Sequence, residues 1–361
     1  MRLREVVKTL CASAAPSLST AYFLLLTSHL SLLTSYLSPL SAQAPPSHFQ
    51  KLAHTYSIVA FDSASGDLGV AVQSKFPNVG GIVPWAKAGV GAVATQSLAN
   101  TEYGERGLEL LAGGATAEEA LRILTRGDTL LGDRQVGMVD AHGNAASFTG
   151  ALTFDWAGGR VGSPAGRGSI AGDKGTMVVG RTFAAQANIM VSDRTVANMA
   201  AVFEHSTGPL ADRLLAALEA GQAGGGDRRG MQSAALLVVR KHAGYLGSSD
   251  RLVDIRVYDA PDPIAELGRL LALHKLYFFP TDPKDLIDIT PDVVRRLEPI
   301  LLREPATQPE KWLSAPQGRA NRAFLEALRN FMYWENYDVR VRMDGKIDRV
   351  VLDDILKSHR T

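Results

Sequence analysis

The 361-residue sequence predicts an α+β fold, a four-layer αββα sandwich in which two packed sheets carry helices on their outer faces. Three observations point there. Strand pairs alternate with helix pairs between about residues 55 and 275. The strand segments are nearly continuously apolar, as expected of strands covered on both faces. A parallel doubly wound sheet fits these patterns less well, and Gly89-Val-Gly-Ala-Val-Ala is not a dinucleotide fingerprint, since the third glycine and an acidic ribose partner are absent.

The elements follow in order. Thr55–Phe61 is rich in β-branched and aromatic residues, Asp62–Gly66 supplies turn chemistry, and Asp67–Ser74 completes a hairpin. Gly89–Gln96 reads as a third strand, whose small residues suit close approach of a neighbouring layer. A helix over Glu105–Ala112 comes next, then one beginning at Thr116. There Glu119, three residues on, forms a capping box, and Ala120, Leu121 and Leu124 give the apolar stripe. Gln135–Val139 and Ala145–Thr149 form a second hairpin around Asp140–Asn144, and Gln186–Val191 is a further strand. Ser192-Asp193 is placed to cap a helix running to Glu204, and Leu210, Leu214, Leu215 and Leu218 mark the next. Strands over Ser233–Val239 and Leu252–Val257 and a helix over Pro263–His274 close the domain.

Composition narrows the function. At 46% hydrophobic and 21% charged residues, the chain is neither disordered nor collagen-like. Its formal net charge of +1 argues against a nucleic-acid partner. Arg2, Arg4 and Lys8, an apolar run over 21–37 and Ser41-Ala-Gln-Ala44 match a secretory signal peptide over residues 1–44. The alternative is an uncleaved amino-terminal membrane anchor, although the run is barely long enough to span a bilayer. Loss of Arg2, Arg4, Lys8 and Glu5 would leave 35 basic and 36 acidic residues. The only cysteine, Cys11, would leave too, removing disulfides, thiol catalysis and thiolate zinc sites. The expected location is secreted or periplasmic, in the cell envelope.

Residues 45–54 form a polar leader ahead of Thr55. Were Thr55 freed as an amino terminus, its hydroxyl would be the nucleophile and its α-amine the base. Lys75, returned by the hairpin toward Thr55, would lower that amine's pKa. Equally, Thr55 reads as an ordinary strand residue and Lys75 as a solvated strand end. Gln96 and Asn188 are amides that could hold an oxyanion, or that satisfy neighbouring backbone. Gly225-Gly-Asp-Arg-Arg-Gly-Met-Gln-Ser233 is the densest polar cluster. Within it Asp227, Arg228, Gln232 and Ser233 are candidate substrate-binding residues, against the alternative of a flexible loop with a surface ion pair. No metal-ligand spacing is present among the eight histidines, and no cofactor is expected.

Residues 276–304 read as a proline-bearing linker, with a short helix over Pro291–Pro299. Residues 305–361 read as a small, mostly helical module. Its first helix starts at Asn321 and its last is capped by Asp348. So short a module without disulfides is marginal alone and is expected to dock on the main domain.

Thr55-Tyr-Ser-Ile-Val-Ala, Val83-Pro-Trp-Ala, Gly89-Val-Gly-Ala-Val-Ala-Thr-Gln96, Gly225-Gly-Asp-Arg-Arg-Gly-Met-Gln-Ser233 and Asp254-Ile-Arg-Val-Tyr-Asp-Ala-Pro-Asp-Pro263 together resemble the Ntn-hydrolase-like family known as domain of unknown function 1028. Glu335-Asn-Tyr-Asp-Val-Arg340 and Asp344-Gly-Lys-Ile-Asp348 resemble a peptidoglycan-binding module. The resemblance implies the αββα fold, amide-bond hydrolysis by an amino-terminal threonine, and a small amide or peptidoglycan-derived substrate. A non-catalytic envelope binding protein on the same scaffold is the alternative, and a homodimer is compatible with either. This chain departs from its relatives in two ways. Its threonine is internal, so a cut at His54–Thr55 is needed. The family's Gln-Gly-Asn reads Gln186-Ala-Asn188, and alanine disfavours positive φ.

Overall fold

The structure is a computed structural model that describes residues 55–164, 168–172, 174–303 and 312–359. The expected signal peptide and leader, with Cys11 and His54, lie outside the described residues, as do positions 304–311 at the start of the module. The fold is mixed α+β. In chain order the strands are β1 (Thr55–Asp62), β2 (Asp67–Ser74), β3 (Pro84–Lys87), β4 (Gly91–Ser97), β5 (Arg134–Asp140), β6 (Ala145–Thr149), β7 (Gly158–Ser163), β8 (Gly168–Ala171), β9 (Gly175–Val179), β10 (Thr182–Ala187), β11 (Ser233–Val239), β12 (Arg251–Val257), β13 (Leu286–Asp288) and β14 (Lys346–Asp348). The helices are α1 (Glu102–Ala112), α2 (Ala117–Thr125), α3 (Arg194–His205), α4 (Leu210–Ala223), α5 (Pro263–Phe278), α6 (Pro291–Leu301), α7 (Arg322–Trp334) and α8 (Arg349–Ser358).

A seven-stranded sheet runs β12-β11-β2-β1-β10-β7-β9, and a five-stranded sheet runs β3-β4-β5-β6-β8. Pairing is antiparallel except for β7 with β9 and β6 with β8. One face of the large sheet, through Tyr56, Ile58, Phe183 and Leu236, packs on Phe203 of α3, Leu214 of α4 and Leu267 of α5. Its other face, through Val59, Val70, Val72 and Leu237, packs on Ala92, Ala94 and Val139 of the smaller sheet. Val93 and Met138, on the far side of that sheet, meet Leu111, Leu121 and Leu124 of α1 and α2. Each large apolar side chain so buried contributes about 1.5–3 kcal/mol. Because β1 and β2 serve both faces, they are buried almost end to end.

Local chemistry explains the element ends. Thr116 accepts from Glu119 N at 3.3 Å while the Glu119 carboxylate accepts from Thr116 N at 2.9 Å, closing the expected capping box of α2. Asp193 occupies the cap position of α3, but its side chain makes no capping bond; Ser192 Oγ instead accepts from Arg194 N at 3.3 Å. The strand expected over 186–191 ends earlier, at Ala187, because Ile189 turns to φ 56°. The strand instead extends upstream, where Thr182–Ala185 pair with Ile58–Phe61 of β1. The helix expected to close at Pro299 runs on to Leu301 with the proline inside its last turns.

The carboxy-terminal module has its own core. Phe324, Leu328 and Phe331 of α7 and Val351, Leu352 and Ile355 of α8 meet Val294, Leu297 and Leu301 of α6, with Leu276 of α5 in the same cluster. The stretch read as a linker therefore supplies part of this core through α6. Arg340, 7% exposed, donates from Nε to Leu276 O at 2.8 Å and from Nη2 to Lys275 O at 2.6 Å, and pairs through Nη1 with buried Asp348. Tyr277 stacks on Tyr337 at 5.4 Å. The module is thereby pinned to the carboxy-terminal end of α5. Among the described residues no helix is long and apolar enough to cross a membrane.

Candidate functional site

Thr55 opens β1 and is 3% exposed. Its register partner is Ser74, whose own partner on β11 is Ser233, so three hydroxyl residues form one row across the large sheet. Side chains alternate along a strand. Thr55 therefore shares the face of Ser57 and Val59, the face turned toward the smaller sheet. Its Oγ1 donates to Ser74 Oγ at 3.1 Å.

The smaller sheet answers with two glutamines in direct cross-strand register, Gln96 on β4 and Gln135 on β5. Gln96 Nε2 donates to Gln135 Oε1 at 2.8 Å, to Thr55 O at 3.1 Å and to Gln186 O at 3.3 Å. Its Oε1 accepts from Ser57 Oγ at 2.5 Å. Gln135 Nε2 donates to Thr149 Oγ1 and Ala187 O, each at 2.9 Å. Asn188 closes the network: its main-chain N–H donates to Thr55 O at 3.1 Å, and its Nδ2 to Gln135 Oε1 at 2.8 Å and Thr55 O at 3.5 Å. Gln186 Nε2 reaches Ser57 Oγ at 2.6 Å. All these side chains are at most 2% exposed. The carbonyl of Thr55 is thus held by donors from both Gln96 and Asn188. Two acceptors of the network, Gln186 Oε1 and Asn188 Oδ1, have no partner among the described residues. A buried polar atom without a partner costs about 1–3 kcal/mol; Gln73, Thr195, Arg213 and Thr281 carry such atoms elsewhere among the described residues, so what marks this cluster is the gathering of four buried amide side chains at one place.

Gly137 makes room for the network: a Cβ there would lie 2.1 Å from Gln186 Oε1. At Ala187 no positive φ is needed, since the left-handed residue is Ile189. The alanine in place of the family glycine is therefore an ordinary strand residue.

The loop between α4 and β11 lies against the end of β2 and the turn after β10. Gly225 and Gly226 adopt φ of 114° and 57°, conformations that side-chain-bearing residues rarely hold. Asp227, 3% exposed, accepts from Lys75 N at 3.4 Å, from Arg229 N at 2.8 Å and from Arg229 Nη2 at 2.9 Å. Arg228 Nε donates to Met190 O at 2.7 Å. Ser233 Oγ donates to Phe76 O at 2.5 Å and accepts from Val79 N at 3.1 Å. Gln232 gives its main-chain N–H to Ser74 O at 3.1 Å and leaves its half-buried side-chain amide without a hydrogen bond among the described residues. Lys75 Nζ donates to Met231 O at 3.1 Å. Tyr56, directed to the opposite face from Thr55, donates to Gln222 Oε1 at 3.2 Å. Burial, with Asp227 and Asp262 nearby, pushes its phenol well above the ordinary range, so it stays a neutral donor.

Of the residues singled out from sequence, Thr55, Gln96 and Asn188 meet directly, and Asp227, Lys75, Gln232 and Ser233 border them through the main chain of Lys75 and Ser74. Arg228 bonds to the neighbouring turn. Sequence reasoning missed Ser57, Ser74, Gln135 and Gln186 as partners. Gln135 carries the same signal as Gln96, an amide inside an apolar strand.

Residues 55–267 match the family described as "Family of unknown function (DUF1028)". Residues 313–354 match the one described as "Putative peptidoglycan binding domain". A crystal structure of a Silicibacter pomeroyi protein assigned to DUF1028 aligns at 28% identity and TM-score 0.52, covering 63% of this chain and 91% of that one. No curated protein matches. With more than half its length covered by one family model, the chain belongs to the DUF1028 family of unknown function.

Proposed function

We propose that this chain is a cell-envelope amidohydrolase of the amino-terminal-nucleophile type, acting on a small amide or a cell-wall peptide. The observation that carries the reading is the convergence of buried Gln96 and Asn188 on the main-chain carbonyl of Thr55. The family match begins on that same residue. The layer order fits an αββα sandwich of the Ntn type, with its main domain over 55–275. The peptidoglycan-binding match favours the envelope as location and cell-wall material as partner.

In this reading, cleavage at His54–Thr55 frees the α-amine of Thr55. That amine takes the proton of its own hydroxyl, directly or through water, as Oγ1 attacks the substrate carbonyl. The tetrahedral oxyanion needs a donor that is not already committed. Gln96 Nε2 has three acceptors for its two hydrogens, so it positions Thr55. Asn188 Nδ2 reaches Thr55 O at only 3.5 Å and is the better oxyanion donor. Lys75 follows Ser74, the partner of Thr55, and its cation would favour the unprotonated amine. Asp227, Arg228 and Ser233 would hold the loop, leaving Gln232 to meet substrate.

The test is hydrolysis across an amide and muropeptide panel by envelope-purified protein. Thr55→Ala should abolish turnover and Asn188→Ala should lower kcat by about 10²–10³, the usual cost of one oxyanion donor. Full turnover by Thr55→Ala would sink the reading. A second reading, a non-catalytic cell-wall binder, is favoured by the residue 313–354 match alone. Retention on insoluble peptidoglycan without turnover of any amide would select it.

A further inference from the structure

A cavity of about 350 Å³ opens on the helix-facing side of the large sheet, walled by Trp156, Arg160, Lys174, Thr176, Asp193 and Val196. It is separate from the Thr55 network, because β7 turns Val161 toward the smaller sheet and the adjacent Arg160 toward α3. Within it, Lys174 is already paired with Asp155 at 3.1 Å. Arg160 and Asp193 are not paired, with each other or with any group among the described residues, although both line the same space. Among the described residues the walls thus offer one unspent guanidinium and one unspent carboxylate, with the other two charges paired to each other.

That balance decides the ligand chemistry. A phosphate or other plain anion would meet Asp193, and a plain cation would meet Arg160. A molecule with separated positive and negative ends suits both. The guanidinium fork matches a carboxylate bidentately, and an aspartate accepts from an ammonium. The volume lies at the lower end of the small-ligand range. We propose that this cavity binds a zwitterionic short peptide of small residues, its carboxylate on Arg160 and its ammonium on Asp193. The proposal rests on these charges alone and stands whether or not Thr55 is a nucleophile.

Isothermal titration of the full chain with L-alanyl-L-alanine tests it, beside the N-acetylated dipeptide, the dipeptide amide and inorganic phosphate. Binding is expected for the free dipeptide. Arg160→Met and Asp193→Asn should each weaken it by about tenfold, or about 1.4 kcal/mol. Amidation of the carboxylate should weaken binding to the wild type but not further to Arg160→Met, and acetylation should do the same for Asp193→Asn. Thr55→Ala should bind as the wild type does. Circular dichroism checks each variant; were Arg160→Met to misfold, exposed Asp193 and the blocked dipeptides still decide. No heat with the free dipeptide, equal binding by blocked and free forms, or a preference for phosphate would overturn the proposal.

Discussion

The end of the two sheets around Thr55 and the junction of the carboxy-terminal module with α5 both bury polar groups, but they use them differently. At the junction, every bond of Arg340 ends on a fixed acceptor: Asp348, Leu276 O and Lys275 O. At the sheet ends, seven neutral polar side chains interlock around Thr55, and two of their acceptors have no partner among the described residues. A fully used buried ion pair locks one arrangement in place. A crowded amide network with spare acceptors keeps polar capacity at a cost in stability, as a site for chemistry does. The contrast separates the part of the chain that fastens from the part that can act.

The largest effect should come from breaking the fastening. Arg340→Met leaves Asp348 buried without its counter-charge and is expected to destabilise by about 3–5 kcal/mol, read as a lowered urea midpoint. A change under about 1 kcal/mol would show that the junction carries little stability. Next comes Gly137→Ala, which drives a Cβ into Gln186 Oε1. It should cost about 1–3 kcal/mol by overpacking and loosen the network around Thr55, seen as faster exchange of the Asn188 amide that donates to Thr55 O. Unchanged exchange would mean that the amides do not act as a unit.

Thr116→Ala, remote from both regions, calibrates a purely local term and should cost about 1 kcal/mol by loss of one helix cap. The smallest effect is one of pH. Burial raises the Asp128 carboxyl, but hydrogen bonds from Arg134, Tyr103 and Leu130 N outweigh it and hold its pKa below the ordinary carboxylate range. A lowered folded pKa gives stability that is present above the unfolded value, about 3.9, and lost as pH falls through the folded one. Asp128→Asn should therefore flatten that part of the acid limb and leave its shape above about pH 5 unaltered.

Much of this was legible in the residues. The hairpins of β1–β2 and β5–β6, the Thr116 box and the caps at Asn321 and Asp348 follow from local chemistry that acts within a few positions. The strands β7, β8 and β9 were not legible, because they are short, glycine-bearing and shaped by pairing of β7 with β10, β8 with β6 and β9 with β7. Thr55, Gln96 and Asn188 could be named one by one from sequence. Their meeting could not, since it depends on sheet register and on Gly137 leaving space for Gln186. Likewise α6 was expected as a helix but assigned to a connector, because proline-bearing stretches flank it, whereas its Val294, Leu297 and Leu301 face the module core.

The most direct measurement is amino-terminal sequencing and intact mass of the protein recovered from the cell envelope, for the wild type and for Thr55→Ala. The account predicts a wild-type chain that begins at Thr55 and hydrolyses an amide, and a variant that hydrolyses none. An active wild-type chain that still carries residues ahead of Thr55 would contradict it.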